Sequence, residues 1–193
     1  NANRPENTDT ESALLSLKEI EISSGMHFTG IINNTHMCGE TDQKTIEKGV
    51  AQATENAALN GLSDRVSFIC EDVFELLPRL EKEGELFDVV ILDPPAFTKS
   101  RNSIKNAVKG YRGINLRAMK LVKNGGYLAT CSCSHFMNPE LFSKTIGEAA
   151  ANVHKRLRQI EYKTQSPDHP ILWSRDEESL YLKFYIFQVC DEL

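Results

Sequence analysis

Two short stretches carry residue types that could do chemistry. Asp93-Pro94-Pro95 closes the apolar run Phe87-Asp88-Val89-Val90-Ile91-Leu92, and Cys131-Ser132-Cys133-Ser134 follows a second run, Gly126-Tyr127-Leu128-Ala129-Thr130. A strand that stops on Asp-Pro-Pro puts a carboxylate and a stiff turn at the carboxyl edge of a sheet. That edge is where open α/β folds bind ligands. A carboxylate on one strand end and a thiol on another point to one cleft, and to nucleophilic chemistry on a nucleobase. Alone, Cys133 reads more often as a buried strand cysteine than as a nucleophile. Cys131-x-Cys133 could also form half of a metal site, but no companion ligand cluster accompanies it, and no metal is expected. His135 and His169 read as structural.

Strands and helices alternate to position these residues. Thr8-x-x-Glu11 makes a capping box ahead of Ala13, Leu14, Leu17 and Ile20 at helical spacing. Phe28 to Ile32 reads as a buried strand ending at Asn33-Asn34. A helix follows from about Gln43 to Leu59, with Ile46, Val50, Ala53 and Ala57 on one face and Asn60-Gly61 as its stop. Arg65 to Cys70 reads as a strand ending on Glu71-Asp72. Val73 to Leu80 is a short helix that fades in Glu81-Lys82-Glu83-Gly84. Phe87 to Leu92 is the next strand, then a helix runs from Ile104 to Val122 with Asn124-Gly125-Gly126 as terminator. Asn138-Pro139 caps a helix that continues to about Lys155. Leu157–Thr164 and Ser179–Cys190 look like a closing antiparallel pair. The pattern predicts an α/β fold, a Rossmann-like doubly wound mostly parallel sheet with an antiparallel C-terminal strand pair.

Composition sets the outer bounds. With 193 residues, 40% hydrophobic and 25% charged, the chain suits one domain with a single core. No apolar run approaches the length of a membrane span. Five scattered cysteines (Cys38, Cys70, Cys131, Cys133, Cys190) argue for reduced thiols and a cytoplasmic setting. The chain opens on Asn1, so it is expected to be part of something longer. The net charge of −5 conceals an asymmetry: Pro94 to Pro139 holds no Asp or Glu, but carries Lys99, Arg101, Lys105, Lys109, Arg112, Arg117, Lys120 and Lys123. A solvated helix face is the plain reading. A basic block that starts just after Asp-Pro-Pro is better suited to phosphates.

From about Glu55 to Val189 the sequence resembles class I S-adenosylmethionine-dependent methyltransferases, in particular the bacterial family that methylates carbon 5 of a cytosine in large-subunit ribosomal RNA. The resemblance rests on Glu55-Asn56-Ala57-Ala58-Leu59-Asn60-Gly61-Leu62, Phe68 through Phe74, Phe87 through Ser100, Gly110 through Leu116, Cys131 through His135, and Pro167-Asp168-His169-Pro170. It implies S-adenosylmethionine as cofactor and RNA, specifically rRNA, as partner. Asp72 would accept from the adenine amine and the Val73 amide would bond the ring, although Asp72 alone also reads as a helix N-cap. Asp93 and Pro94 would line the cofactor side, Asp93 would also hold the flipped-out base, and Cys133 would be the nucleophile. Lys99, Arg101, Lys109, Tyr111 and Arg112 would contact the RNA. A homodimer through an exposed sheet edge is a further expectation.

The amino-terminal segment departs from that family. The glycine-rich turn expected upstream could sit only at Asn1-Ala2-Asn3-Arg4-Pro5, which has no glycine, and the strand at 28–32 ends on Asn33-Asn34 instead of an acid. Residues 1–53 are similar to the late part of P-loop ATPases of the partitioning and nitrogenase-iron-protein type, through Asn3-Arg4-Pro5, Phe28 through His36, and Cys38-Gly39-Glu40-Thr41. That likeness would turn Asn33 toward an adenine. The phosphate-binding Gly-x-x-x-x-Gly-Lys-Ser/Thr loop is absent. The expectation is a chimera, natural or engineered, joined near residues 50–56, with an atypical segment at 1–53 and a methyltransferase-like core at 54–193. A chimeric α/β protein without catalytic activity is the alternative function. A third is a nucleotide-binding module with an adenosine pocket around Asn33, Asp72 and Asp93.

Overall fold

The computed structural model describes residues 43–98, 100–172 and 179–192. The expected capping box, first helix, strand at 28–32 and Asn33 lie outside the described residues. Packing divides the chain into two units, residues 1–71 and 72–193. In the first, helix α1 spans Gln43–Leu59. Its inward face carries Ile46, Val50 and Ala53, with Ala57 buried. Gly61 takes the left-handed conformation (φ 65°). Its N–H donates to the Ala58 carbonyl at 3.1 Å, and the Leu62 N–H donates to that of Ala57 at 2.8 Å. These bonds satisfy carbonyls that the helix leaves open, so the Asn60-Gly61 stop is as the sequence predicts.

The strand expected at Arg65–Cys70 does not form. Residues 66–70 are irregular, with Cys70 and Ile69 exposed. A run of suitable residues becomes a strand only when a neighbour accepts its ladder bonds, and no described strand pairs with it.

The second unit runs in the order α2 (Val73–Glu83), β1 (Phe87–Leu92), α3 (Ile104–Leu121), β2 (Val122–Ser132), α4 (Pro139–Asn152), β3 (Lys155–Lys163) and β4 (Lys183–Asp191). The Asp72 carboxylate caps α2 by accepting from the Phe74 N–H at 2.8 Å, and Gly84 (φ 77°) ends it. Asn138 caps α4 in the same way through the Leu141 N–H, with Pro139 in the first turn. Helix α3 passes into β2 at Val122, so Asn124-Gly125-Gly126 lies inside the strand span instead of terminating the helix.

The sheet order is β1-β2-β4-β3. β1 and β2 are parallel, whereas β4 is antiparallel to both β2 and β3. The result is an α/β fold on a mixed sheet, closed by the antiparallel carboxyl-terminal pair. The core joins Leu77 of α2, Tyr111, Ile114 and Ala118 of α3, and Phe142, Ile146 and Ala149 of α4. Against these pack Leu92, Leu128, Tyr185, Phe187 and Val189 from the sheet. Along β4 burial alternates, so Lys183, Tyr185, Phe187 and Val189 form its inward row. Among the described residues, no helix is long and apolar enough to cross a membrane.

Candidate functional site

The parallel pairing of β1 with β2 decides where the chemistry-bearing residues meet. Leu92 stands opposite Thr130, so the next residues, Asp93 and Cys131, lie side by side at the carboxyl ends. The Cys131 thiol donates to Asp93 Oδ1 at 3.1 Å and to the Leu92 carbonyl at 3.6 Å. Cys131 is buried, while Cys133, two residues further on, is only partly so. Cys131 lies within β2, and Cys133 just past its end at Ser132. Cys131 is therefore the thiol tied to the carboxylate, and Cys133 is the thiol nearer solvent. Sequence reasoning pairs Asp93 with Cys133 and assigns no such tie to Cys131.

Hydroxyl groups hold the two loops together. Ser134 Oγ donates to the Thr98 carbonyl at 2.9 Å, bridging the Asp93-Pro94-Pro95 loop to the cysteine segment. Thr98 Oγ1 reaches the Ser100 carbonyl and Ser103 Oγ, both at 2.7 Å, which anchors that loop to the start of α3. Beneath them Ser132 Oγ donates to Tyr111 Oη at 3.0 Å. Burial pushes the Tyr111 phenol up to about 12. Tyr111, read from sequence as a contact to RNA, is wholly buried between Phe97 and Phe142. It supports the cysteine segment from below and offers RNA no surface.

Two further groups escaped the sequence reading. Phe97 lies 4.6 Å from Tyr111 and 6.2 Å from Phe74, ring centre to ring centre. That aromatic row links the amino terminus of α2, where Asp72 and Val73 sit, to the Asp93 loop. It depends on Gly110, since a Cβ there would stand 3.1 Å from the Phe97 ring. The second is Lys183, wholly buried in the inward row of β4 and opposite Ser132. Seven of the nine β4 residues are neither Lys nor Gln, but which face each residue takes follows only from register.

The α2 end suits an adenine. One Asp72 oxygen caps the helix and the other has no partner among the described residues. The Val73 amide lies in the first turn, where no intrahelical acceptor exists. Val73 and Phe74 expose apolar surface (36% and 45%). An acceptor, a donor and an apolar platform match the edge and face of a purine. Asp93 is exposed and Pro94 half-buried at the neighbouring strand end. No cluster of three or more His, Cys, Asp or Glu suited to a metal occurs among the described residues.

The basic block divides in two. Arg112 pairs with Glu148 at 3.4 Å, Arg117 and Lys120 with Glu81, and Lys123 with Asp88 at 2.9 Å. Arg101, Lys105 and Lys109 are exposed and have no acidic partner among the described residues. Lys99 lies outside those residues. The unneutralised charge is thus confined to the start of α3, close to the Asp93 loop.

The α/β fold sets a carboxylate and a thiol at adjacent parallel strand ends, in the same unit as a helix terminus that suits a purine. Residues 27–173 match the family model described as S-adenosylmethionine-dependent methyltransferase, and the chain belongs to that family, whose cofactor is S-adenosylmethionine. The match spans residues 50–56, where the sequence places a chimeric junction, and nothing indicates a separate origin for residues 27–53. Ribosomal RNA large subunit methyltransferase I of Erwinia tasmaniensis is 40% identical over 146 residues, covering 75% of this chain and 37% of the relative. The protein of the same name from Shewanella denitrificans is 41% identical over 138 residues, covering 71% and 34%. The chain thus spans little more than a third of the length of these relatives. SMU.776, solved in complex with SAH, shares the fold at TM-score 0.67 and 16% identity, over 88% of this chain and 41% of that one.

Proposed function

We propose that this chain is the methyl-transferring part of an enzyme that modifies carbon 5 of a cytosine in large-subunit ribosomal RNA. The observation that carries the reading is the meeting of Asp93 with Cys131, two residues before Cys133, at the carboxyl ends of two adjacent parallel strands. The names of the relatives at 40% and 41% identity supply the substrate class. Asp72 and Val73 hold the adenine, Phe74 packs on its face, and Asp93 and Pro94 border the far side. Bound S-adenosylmethionine supplies an electrophilic methyl carbon.

Carbon 5 of cytosine is too weak a nucleophile to take that methyl unaided. The Cys133 thiolate adds to carbon 6, forming an S–C bond and shifting the ring π electrons so that carbon 5 becomes enamine-like. Asp93 holds the polar edge of the base, which must leave its stack to reach the site. After transfer, carbon 5 loses its proton to a base. The freed electron pair restores the double bond and expels the Cys133 thiolate. Cys131, with its thiol committed to Asp93, orients that carboxylate. Arg101, Lys105 and Lys109 meet RNA phosphates.

A ribosomal RNA transcript carrying 5-fluorocytosine tests the reading, because fluorine cannot leave as the proton does and the adduct persists. With S-adenosylmethionine present, the expected result is a covalent complex that Cys133→Ala abolishes and Cys131→Ala retains. Absence of any adduct, together with no calorimetric binding of S-adenosylmethionine at millimolar concentration, would refute it.

A further inference from the structure

Lys183 is the first residue of β4 and pairs with Ser132, between the two cysteines. It is wholly buried. Its ammonium donates to the Ser134 carbonyl at 2.5 Å and to the Tyr181 carbonyl at 2.7 Å. No carboxylate pairs with it among the described residues. A cation taken from water without a counter-charge is destabilising, and a methionine of similar length would fill the same space without that penalty. The charges that act on it are those of Cys133, the residue before the Ser134 carbonyl it holds, and Cys131, while its partner in register, Ser132, hydrogen-bonds Tyr111. Tyr111 stays neutral, and the Cys131 thiol is engaged as a donor to Asp93. Cys133 is the group whose charge can answer that of Lys183.

We propose that Lys183 is a positioning residue for Cys133: its ammonium holds the Ser134 carbonyl, fixing the Cys131–Ser134 turn, and its charge favours the thiolate form of Cys133. The proposal rests on Cys133 being the nucleophile. Burial lowers the Lys183 ammonium to about 8, with the charges of Cys133 and Cys131 acting in the opposite direction. The lysine thus remains mostly protonated at neutral pH. Such coupling is reciprocal: a thiolate that stabilises the ammonium is stabilised by it to the same extent.

Iodoacetamide alkylation of Cys133, followed by peptide mass spectrometry across pH, reads thiolate content directly. In Lys183→Met and Lys183→Gln chains that keep the natural circular dichroism, alkylation of Cys133 at pH 7 should fall about tenfold and its midpoint should rise by about one pH unit. Gln retains a donor for the Ser134 carbonyl but no charge. A natural midpoint in Lys183→Gln would reduce Lys183 to a structural tie and overturn the proposal. Should neither variant fold, Cys133→Ser decides. The Lys183 side chain, followed by its carbon-ε resonance, should then titrate at lower pH than in the natural chain, and an unchanged titration overturns the proposal. Neither experiment involves methyl transfer, so failure here leaves the nucleophile assignment to the fluorocytosine test.

Discussion

Replacing Lys183 by methionine should change the pH dependence of stability more distinctly than stability itself. In the folded protein the ammonium titrates near 8, against an ordinary 10.5. Between those values the unfolded chain holds a proton that the folded chain has lost, so stability rises with pH through that window. Each pH unit of difference corresponds to about 1.4 kcal/mol, so burying the charge destabilises the fold by at most about 3 kcal/mol below pH 8. Most of that, on the order of 2–3 kcal/mol, is recovered by pH 10. At pH 7 the methionine variant escapes the penalty but leaves the Ser134 and Tyr181 carbonyls without their donor, a loss of about 1–3 kcal/mol each. The two effects oppose, and the variant should lie near the natural protein. By pH 10 only the loss remains, and the natural chain should gain on the order of 2–3 kcal/mol on the variant. Urea unfolding followed by far-UV circular dichroism at pH 7, 8, 9 and 10 measures the gap. Work above pH 10 is avoided because the Tyr111 phenol, raised to about 12, withdraws its own contribution between pH 10 and 12. A gap that stays constant or narrows from pH 7 to 10 would refute the reasoning.

Two glycines should respond with opposite signs. Gly126→Ala puts a Cβ 2.7 Å from the Asp88 carbonyl and should destabilise by about 1–3 kcal/mol in urea unfolding. Gly113→Ala, on an open part of α3, should stabilise by roughly 0.5–1 kcal/mol. Phe142→Ala removes a wholly buried ring packed against Tyr111 and Tyr185, and thermal or urea unfolding should show a loss of about 3–5 kcal/mol. For RNA binding measured against salt, Arg101→Ala, Lys105→Ala and Lys109→Ala should each flatten the log–log slope by about 0.7–0.9. Lys120→Ala, whose charge Glu81 already answers, should leave the slope nearly unchanged.

Local rules read from the sequence account for much of the second unit. Gly84 ends α2, Asn138-Pro139 starts α4, and the closing strands pair, because caps, turns and apolar alternation are properties of a few neighbouring residues. The Arg65–Cys70 run shows the limit of such rules, since a strand needs a partner that its own residues cannot supply. Asp-Pro-Pro and the cysteine segment marked two strand ends, and their residue types alone named a carboxylate and a thiol for one cleft. Pairing of β1 with β2 decided that Cys131 meets Asp93, because register is a relation between strands distant in sequence. Packing likewise moved Tyr111 from a presumed RNA contact into the core and drew acids from α2, β1 and α4 onto half of the basic block. Lys183 is the sharpest case: as one cation in an apolar strand it faces water or core according to a one-residue choice of register. Residue types along the chain establish which groups could react. Folding settles which of them touch, because burial and charge pairing depend on neighbours that the chain brings together from far apart.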